Sequence, residues 1–122
     1  GLIVAEHTCG MCSYSHSTAY CQAIESLGQI EIPERALYIR TICLELERLS
    51  SHLSDLSAIC SAGGFAIAGM HASKLREKAM QLIFKLTEHR FFRKLNAIGG
   101  LNKDISDDSF EFLKKNLILT TL

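Results

Sequence analysis

The chain has 122 residues, 48% of them hydrophobic and 21% charged, with 13 Lys and Arg balanced by 13 Asp and Glu. That length gives room for one modest core, and the apolar fraction sets the chain apart from a disordered tail. A formal net charge of zero argues against partners that are held by excess basic charge, so neither nucleic acid nor an anionic lipid surface is expected.

The chain opens on a short apolar run, Gly1-Leu2-Ile3-Val4-Ala5, that leads straight into a cysteine motif. Glu6 and His7 stand where the apolar stretch of a signal peptide would lie. The first helix is predicted from about Ser15 to Leu27, with Ala19, Tyr20, Ala23, Ile24 and Leu27 as its apolar stripe and Gly28 as its stop. Pro33 opens the second helix, with Glu34 at the positive end of its dipole. Ala36, Ile39, Cys43, Leu46, Leu49, Leu53, Leu56 and Cys60 then step by threes and fours to Gly63-Gly64. Such a helix is about 40 Å long at 1.5 Å per residue, the spine of a bundle.

The third helix is predicted from about His71 to Phe92, its stripe marked by Leu75, Ala79, Leu82, Ile83 and Leu86. A short extended piece, Leu95 to Ile98, precedes a Gly99-Gly100 turn. The fourth helix has Ser106 as N-cap, Asp107 and Asp108 in its first turn, and Ile105 placed to staple onto Phe110; Leu113 and Leu117 continue the pattern. No stretch reaches the roughly 18 to 20 apolar residues of a membrane span; the nearest, 58–70, is broken by Ser61, Gly63, Gly64 and Gly69. The expected fold is all-α, one domain over 1–122, a helical bundle around one long helix with a short extended segment near 95–98. The apolar ends, Leu2-Ile3-Val4 and Leu117 to Leu122, read as cuts through a larger protein and predict self-association of the isolated chain.

The chemistry gathers at Cys9-Gly10-Met11-Cys12, with His16 four residues on. Two thiols at this spacing can grip one ion or close a disulfide, and thiolates favour zinc, nickel, copper(I) or iron–sulfur clusters. Gly10 is expected to ease the turn between them, and the following helix N-terminus to lower their pKa. The five cysteines are odd in number and unevenly spaced, which fits a reducing, cytoplasmic setting better than a secreted disulfide framework. A closed zinc site needs four ligands, which Cys9, Cys12, His16 and one of His7 or His52 could supply. Two buried, inert cysteines and a redox pair also fit this spacing, which on its own reaches only half a thiolate metal site.

The run Cys9 to Tyr20, CGMCSYSHSTAY, resembles the N-terminal C-G-x-C-x-x-x-H motif of nickel–iron hydrogenase large subunits, especially the membrane-bound, energy-converting group with the formate hydrogenlyase large subunits. Ile32 to Ala36, Ile39-Arg40, Glu45 to Leu49, Ser51-His52-Leu53, Arg76-Glu77, Thr87 with Arg90, and Ile98-Gly99-Gly100 with Asp104 continue the resemblance in order. The same series is similar to the 49-kDa subunit of respiratory complex I.

The resemblance implies a nickel–iron centre with Cys9 as a terminal nickel ligand, Cys12 as a bridge between nickel and iron, and His16 beside the bridging thiolates. It further implies reversible dihydrogen oxidation, an iron–sulfur small subunit and membrane subunits as partners, and a peripheral position on the cytoplasmic face of the membrane. The family's second cysteine pair is absent from this sequence, so half the ligands are present and the isolated chain is expected to be inactive and to hold no complete centre. His7 stands where the family usually has Arg, Glu88 where glycine is common, and Lys103 where Arg is usual. The complex I subunit generally lacks the cysteines, so Cys9 and Cys12 favour the hydrogenase reading over a quinone-linked one; a zinc-stabilised structural module remains a third.

The other candidates have plainer readings. Cys21, Cys43 and Cys60 are expected as small core residues. Glu45, Arg48 and His52 share one helix face as an ion-pair ladder, and Lys74, Arg76 and Lys78 form a solvated face or a subunit contact. His71 and His89 are expected at the surface or an interface.

Overall fold

The computed structural model describes residues 1–121, with side chains described for 1–116. In chain order it comprises α1 (Leu2–Glu6), α2 (Ser13–Gly28), α3 (Glu34–Ala62), α4 (Ala66–Thr87), β1 (Asn96–Ala97), β2 (Gly100–Leu101) and α5 (Asp107–Thr121). The fold is therefore all-α apart from one two-stranded ribbon, as the sequence predicts.

α3 runs uninterrupted because no Gly or Pro lies between Glu34 and Ala62. Pro33 sits one residue outside it, in extended conformation, and Glu34 occupies the first turn. At the far end Gly63 caps the helix and Gly64 takes φ +79, a conformation L side chains resist. That tight turn lets α4 begin at Ala66, five residues earlier than predicted. Gly69 allows the close crossing, since a Cβ there would stand 2.6 Å from Ser61 Oγ and 3.2 Å from the Ser57 carbonyl oxygen. Across the same contact Ser57 Oγ donates to the Gly69 carbonyl at 2.9 Å.

α4 also ends early, at Thr87, where Glu88 turns left-handed (φ 60) and Thr87 Oγ1 lies 2.8–2.9 Å from the carbonyls of Ile83 and His89. The segment after it carries two more left-handed residues, Phe92 (φ 53) and Lys94 (φ 62). For a ring as bulky as Phe92 that conformation costs about 1–2 kcal/mol, and near-complete burial against Tyr14, ring centroids 5.1 Å apart, offsets it. The extended piece is shorter than expected: Asn96 pairs with Leu101 and Ala97 with Gly100 around a turn in which Gly99 has φ 85. α5 begins as predicted, with Ser106 Oγ accepting from the Ser109 N–H at 3.4 Å and Ile105 buried beside a core-packed Phe110. The predicted apolar end at Leu117 to Leu122 lies outside the described side chains, whereas Ile3 and Val4 at the other end are exposed.

Two elements correct the sequence reading. The opening apolar run folds into the short helix α1, tied down where buried Glu6 accepts the Lys94 N–H at 2.8 Å. The larger correction is in α2, which buries its polar face. Ser13, Tyr14, Ser17, Thr18, Cys21 and Glu25 are buried, while Ala19, Ala23 and Leu27 of the predicted stripe face solvent. The surface it packs against is itself polar. Asn96 Nδ2 donates to Ser17 Oγ and Thr18 Oγ1, both at 2.8 Å, and Glu25 forms a buried two-armed ion pair with Arg40 at 2.7 and 2.9 Å. Arg40 also donates to the Ala97 and Gly100 carbonyls, and Glu25 accepts the Gly99 N–H, so this one pair fastens the ribbon to α2 and α3. Gly28 remains inside α2, and Gln29 (φ 48) makes the left-handed stop.

The apolar core lies at one end of the α3–α4 hairpin. Ile39, Cys43 and Leu46 from α3 meet Met80, Ile83 and Leu86 from α4, with Tyr14, Phe92, Leu95, Ile105 and Leu113 around them. Leu49 and Leu56, further along the predicted α3 stripe, are exposed, and Cys60 is half-buried.

Candidate functional site

Residues 7–12 form an irregular loop between α1 and α2, and Cys12 occupies the N-cap position of α2 with φ −124 and ψ 36. One turn into the helix, His16 closes the first intrahelical bond, its N–H donating to the Cys12 carbonyl at 3.1 Å. The loop and the first turn bring Cys9 Sγ, Cys12 Sγ and a His16 ring nitrogen within 4.8 Å of one another. Both cysteines are half-buried and His16 is exposed, so the cluster opens at the surface. Neither of the other two histidines considered with this motif joins it: His7 turns back, Nδ1 to the Ile3 carbonyl at 2.7 Å, and His52 sits exposed on α3. A Cβ at Gly10 would meet nothing within 4 Å, and Gly10 lacks a left-handed φ, so the turn does not demand glycine.

The two thiols differ in acidity. A hydrogen bond from Cys12 stabilises the Cys9 thiolate, with backbone donors at Met11 and Cys12 assisting, and the Cys9 thiol falls below its ordinary pKa. Cys12, the donor in that bond and more buried, is pushed up to about 11. The helix N-terminus is expected to lower both, and the structure lowers only one. The negative charge of Glu47 is felt at both sulfurs and opposes their joint ionisation.

Glu47 is the residue sequence reasoning missed. A cysteine at the N-cap leaves the first amides of α2 without a side-chain partner from its own helix. Glu47 reaches over from α3, Oε1 accepting the Tyr14 N–H at 2.8 Å and Oε2 the Ser15 N–H at 2.9 Å and the Ser15 hydroxyl. The signal available in the sequence was its place on α3, one turn beyond Cys43 on the buried face. Ser13 Oγ donates to the Phe91 carbonyl at 3.2 Å, so the first turn is held from both sides.

Arg76 also departs from expectation. Lys74 and Lys78 are exposed as predicted, but Arg76 is half-buried and its Nε is enclosed without a partner. Arg90 pairs with Glu77 at 2.6 Å, and Glu45 with Arg48 at 3.0 Å on the solvent side of α3, a ladder that His52 does not join. Cys21 and Cys43 are core residues as predicted, with burial pushing the Cys43 thiol up to about 12. His89 is tucked against the Phe91 N–H, which donates to its Nδ1 at 3.1 Å, and burial lowers its pKa.

The family profile described as nickel-dependent hydrogenase matches residues 2–61, which include all of the cluster and Glu47. Formate hydrogenlyase subunit 5 of Escherichia coli (strain K12) is 41% identical over 105 residues, 86% of this chain and 18% of that protein. Membrane-bound hydrogenase subunit alpha of Pyrococcus furiosus is 38% identical over 119 residues, 97% and 26% of the two chains. An NADH-quinone oxidoreductase subunit of Chloroherpeton thalassium is 40% identical over 103 residues, 84% and 23%. Among solved structures, a chain of the membrane-bound sulfane sulfur reductase, an archaeal respiratory membrane complex, superposes with TM-score 0.80 at 28% identity, covering 98% of this chain and 34% of that one. The chain thus spans about a quarter or less of the length of these curated relatives.

Proposed function

The chain belongs to the nickel-dependent hydrogenase family, and from that premise we propose that it supplies one half of a nickel–iron centre in a hydrogenase large subunit. Cys9 would be a terminal nickel ligand, Cys12 a bridge between nickel and iron, and His16 a neighbour of the bridging sulfur. The observation that carries the reading is the convergence of two soft sulfur donors and an imidazole nitrogen within 4.8 Å at a helix N-terminus. These residues fit the group in kind and in number for half a site. A second pair of thiolates would come from elsewhere in the full-length protein.

When bound, such a centre supplies the reversible oxidation of dihydrogen to two protons and two electrons. The chain's own residues supply position and soft sulfur donors. Cys9 is the more readily ionised of the two thiols, so it is the one more easily presented to a metal as a thiolate. His16, held one turn above Cys12, offers a ring N–H that tunes sulfur basicity. Glu47 keeps that first turn in register through three hydrogen bonds.

Relatives named as membrane-bound subunits make partner subunits part of the reading: an iron–sulfur small subunit to carry electrons and membrane subunits to anchor the assembly. Among the described residues no helix is long and apolar enough to cross a membrane. The proposed attachment is through those partners, on the cytoplasmic face. A second reading is favoured by the sulfane sulfur reductase fold, in which the same thiols would act as a dithiol. The hydrogen-bonded Cys9–Cys12 pair suits that chemistry too, since one sulfur is predisposed to attack and the other to resolve.

Metal content of the full-length protein separates the readings. Cys9→Ser and Cys12→Ser should each abolish nickel binding and dihydrogen-dependent dye reduction, with Cys12→Ser losing iron as well. His16→Ala should keep the metals and lose about 10- to 100-fold in turnover. Cys21→Ala, Cys43→Ala and Cys60→Ala should leave nickel content unchanged. Full nickel in both serine variants sinks the assignment. Zinc at unit stoichiometry points to a structural site, and a metal-free protein that reduces sulfane sulfur points to the dithiol.

A further inference from the structure

Glu47 is a carboxylate only 5% exposed, and none of the ion pairs among the described residues includes it. Its three hydrogen bonds all come from the first turn of α2. Three donors leave part of the capacity of two carboxylate oxygens unused, and a buried charge without a counter-charge is costly.

An arginine shares a small cavity with Glu47. Beside Glu47 is a cavity of about 10 Å³ whose lining includes Met11, Ser50, Ser51, Arg76 and Phe92. That is room for one water molecule, and a water so placed needs two to four polar partners. Residues able to provide them line it: Glu47, Ser50, Ser51 and Arg76, whose enclosed Nε makes no hydrogen bond within the protein. Ser50 Oγ donates its proton to the Glu47 carbonyl at 2.9 Å, which leaves the hydroxyl oxygen only an accepting role toward any further partner. Arg90, the other guanidinium in the lining, is committed to Glu77 through two hydrogen bonds. Of the two lining arginines, Arg76 is therefore the one with an enclosed nitrogen that lacks a partner.

We propose that a buried water joins Arg76 to Glu47 across this cavity, and that the pair is a positioning device for Cys12 and His16. Arg76 on α4 sets the carboxylate, the carboxylate sets the first turn of α2, and that turn carries the two site residues. The arrangement explains why a cysteine can stand at the N-cap: the capping duty has moved to another helix, which leaves its sulfur free. The bridge stands on geometry alone. Its service to a metal site rests on the reading of Cys9, Cys12 and His16 given above.

Hydrogen exchange at the Tyr14 and Ser15 amides of the full-length protein tests it. Glu47→Gln should speed exchange at both by about tenfold or more, since it removes charge-assisted bonds. Arg76→Met should speed the same two amides by about threefold, with amides in the middle of α3 unchanged. Arg76→Lys, which keeps the charge, should restore much of the protection. The double variant Glu47→Gln with Arg76→Met should exchange no faster than Glu47→Gln alone. Unchanged Tyr14 and Ser15 amides in Arg76→Met, or simple multiplication of the two effects in the double variant, overturns the bridge. Should Glu47→Gln fail to fold, the Arg76→Met and Arg76→Lys arms decide by themselves. Nickel measured in the same samples keeps the readings apart: a nickel-free wild type with coupled exchange sinks the metal site alone, and a nickel-loaded wild type with uncoupled exchange sinks the bridge alone.

Discussion

The two halves of α3 live in different surroundings. From Glu34 to Ser50 the helix buries Ala36, Ile39, Arg40, Cys43, Leu46, Glu47 and Ser50; from Ser51 to Ala62 it buries nothing. α4 mirrors this, with only Gly69 and Ala72 buried in its first half and Ala79, Met80, Leu82, Ile83 and Leu86 in its second. At the packed end two charged α3 side chains are inside the protein, and both hold α2. At the far end several large apolar residues are exposed, among them Leu56, Ile59, Phe65, Ile67 and Met70. Hydropathy along the helix is therefore a poor guide to which half does the structural work. In this chain the buried charged groups mark the half that builds the site, whereas exposed apolar side chains occur in both halves, Leu37 and Leu49 among them.

The comparison breaks most severely at Arg40. Arg40→Met leaves Glu25 charged and buried and strips the Ala97 and Gly100 carbonyls of their donor. Removing one partner of such a pair costs about 3–5 kcal/mol, which urea unfolding of this chain would read. The effect depends on pH in a definite direction. Arg40, then burial and the Gly99 N–H, act on the Glu25 carboxyl, and the balance holds it below its ordinary 4.5. A lowered folded-state pKa gives stability that is complete above 4.5 and is lost as pH falls below it through the folded value. The gap between wild type and Arg40→Met should therefore narrow on acidification. A gap that stays constant from neutral pH to below the folded pKa would show that the pair is not what stabilises this end.

A matched pair of leucines ten residues apart sharpens the same contrast. Leu46 is 4% exposed inside the core and Leu56 is 51% exposed beyond it. Leu46→Ala should cost about 2–5 kcal/mol, and Leu56→Ala no more than about 0.5 kcal/mol in this chain. Comparable losses at both sites in thermal or urea melts would mean that the far half is buried in solution, by self-association or otherwise. Sedimentation of the two variants would then show it.

These contrasts also say what was legible beforehand. α3, the Gly63-Gly64 turn and the start of α5 were readable because local signals set them: unbroken helix formers, two glycines, and an N-cap with acidic residues after it. The second-half stripe of α4 was readable for the same reason. The buried face of α2 was not, because a hydrophobic stripe assumes an apolar partner, and Ser17, Thr18 and Glu25 pack against Asn96 and Arg40 from distant parts of the chain. α1 was missed for a related reason: five residues carry too little periodicity, and what fixes the helix is a bond from the Lys94 amide to Glu6. Cys9, Cys12 and His16 could be picked out from spacing, whereas Glu47 and Arg76 acquire their places only when α3 and α4 pack beside α2.

The smallest expected effect comes from Arg48, eight residues beyond Arg40 on the same helix. Both arginines pair with a glutamate, so an inventory of ion pairs would rank them alike. Arg48 and Glu45, however, are 62% and 57% exposed and three residues apart, and their attraction works through water. Neither side chain was desolvated to make the pair, so breaking it strands no buried charge and returns both side chains their rotamer freedom. Arg48→Gln should shift stability by less than about 0.5 kcal/mol, and raising the salt concentration in wild type should erase what difference there is. Placing Arg40→Met and Arg48→Gln in one urea series compares a buried with an exposed arginine–glutamate pair on the same helix. Equal losses would mean that the helix feels charge pairing irrespective of burial, and the division of α3 into a site-building half and an outer half would lose its physical basis.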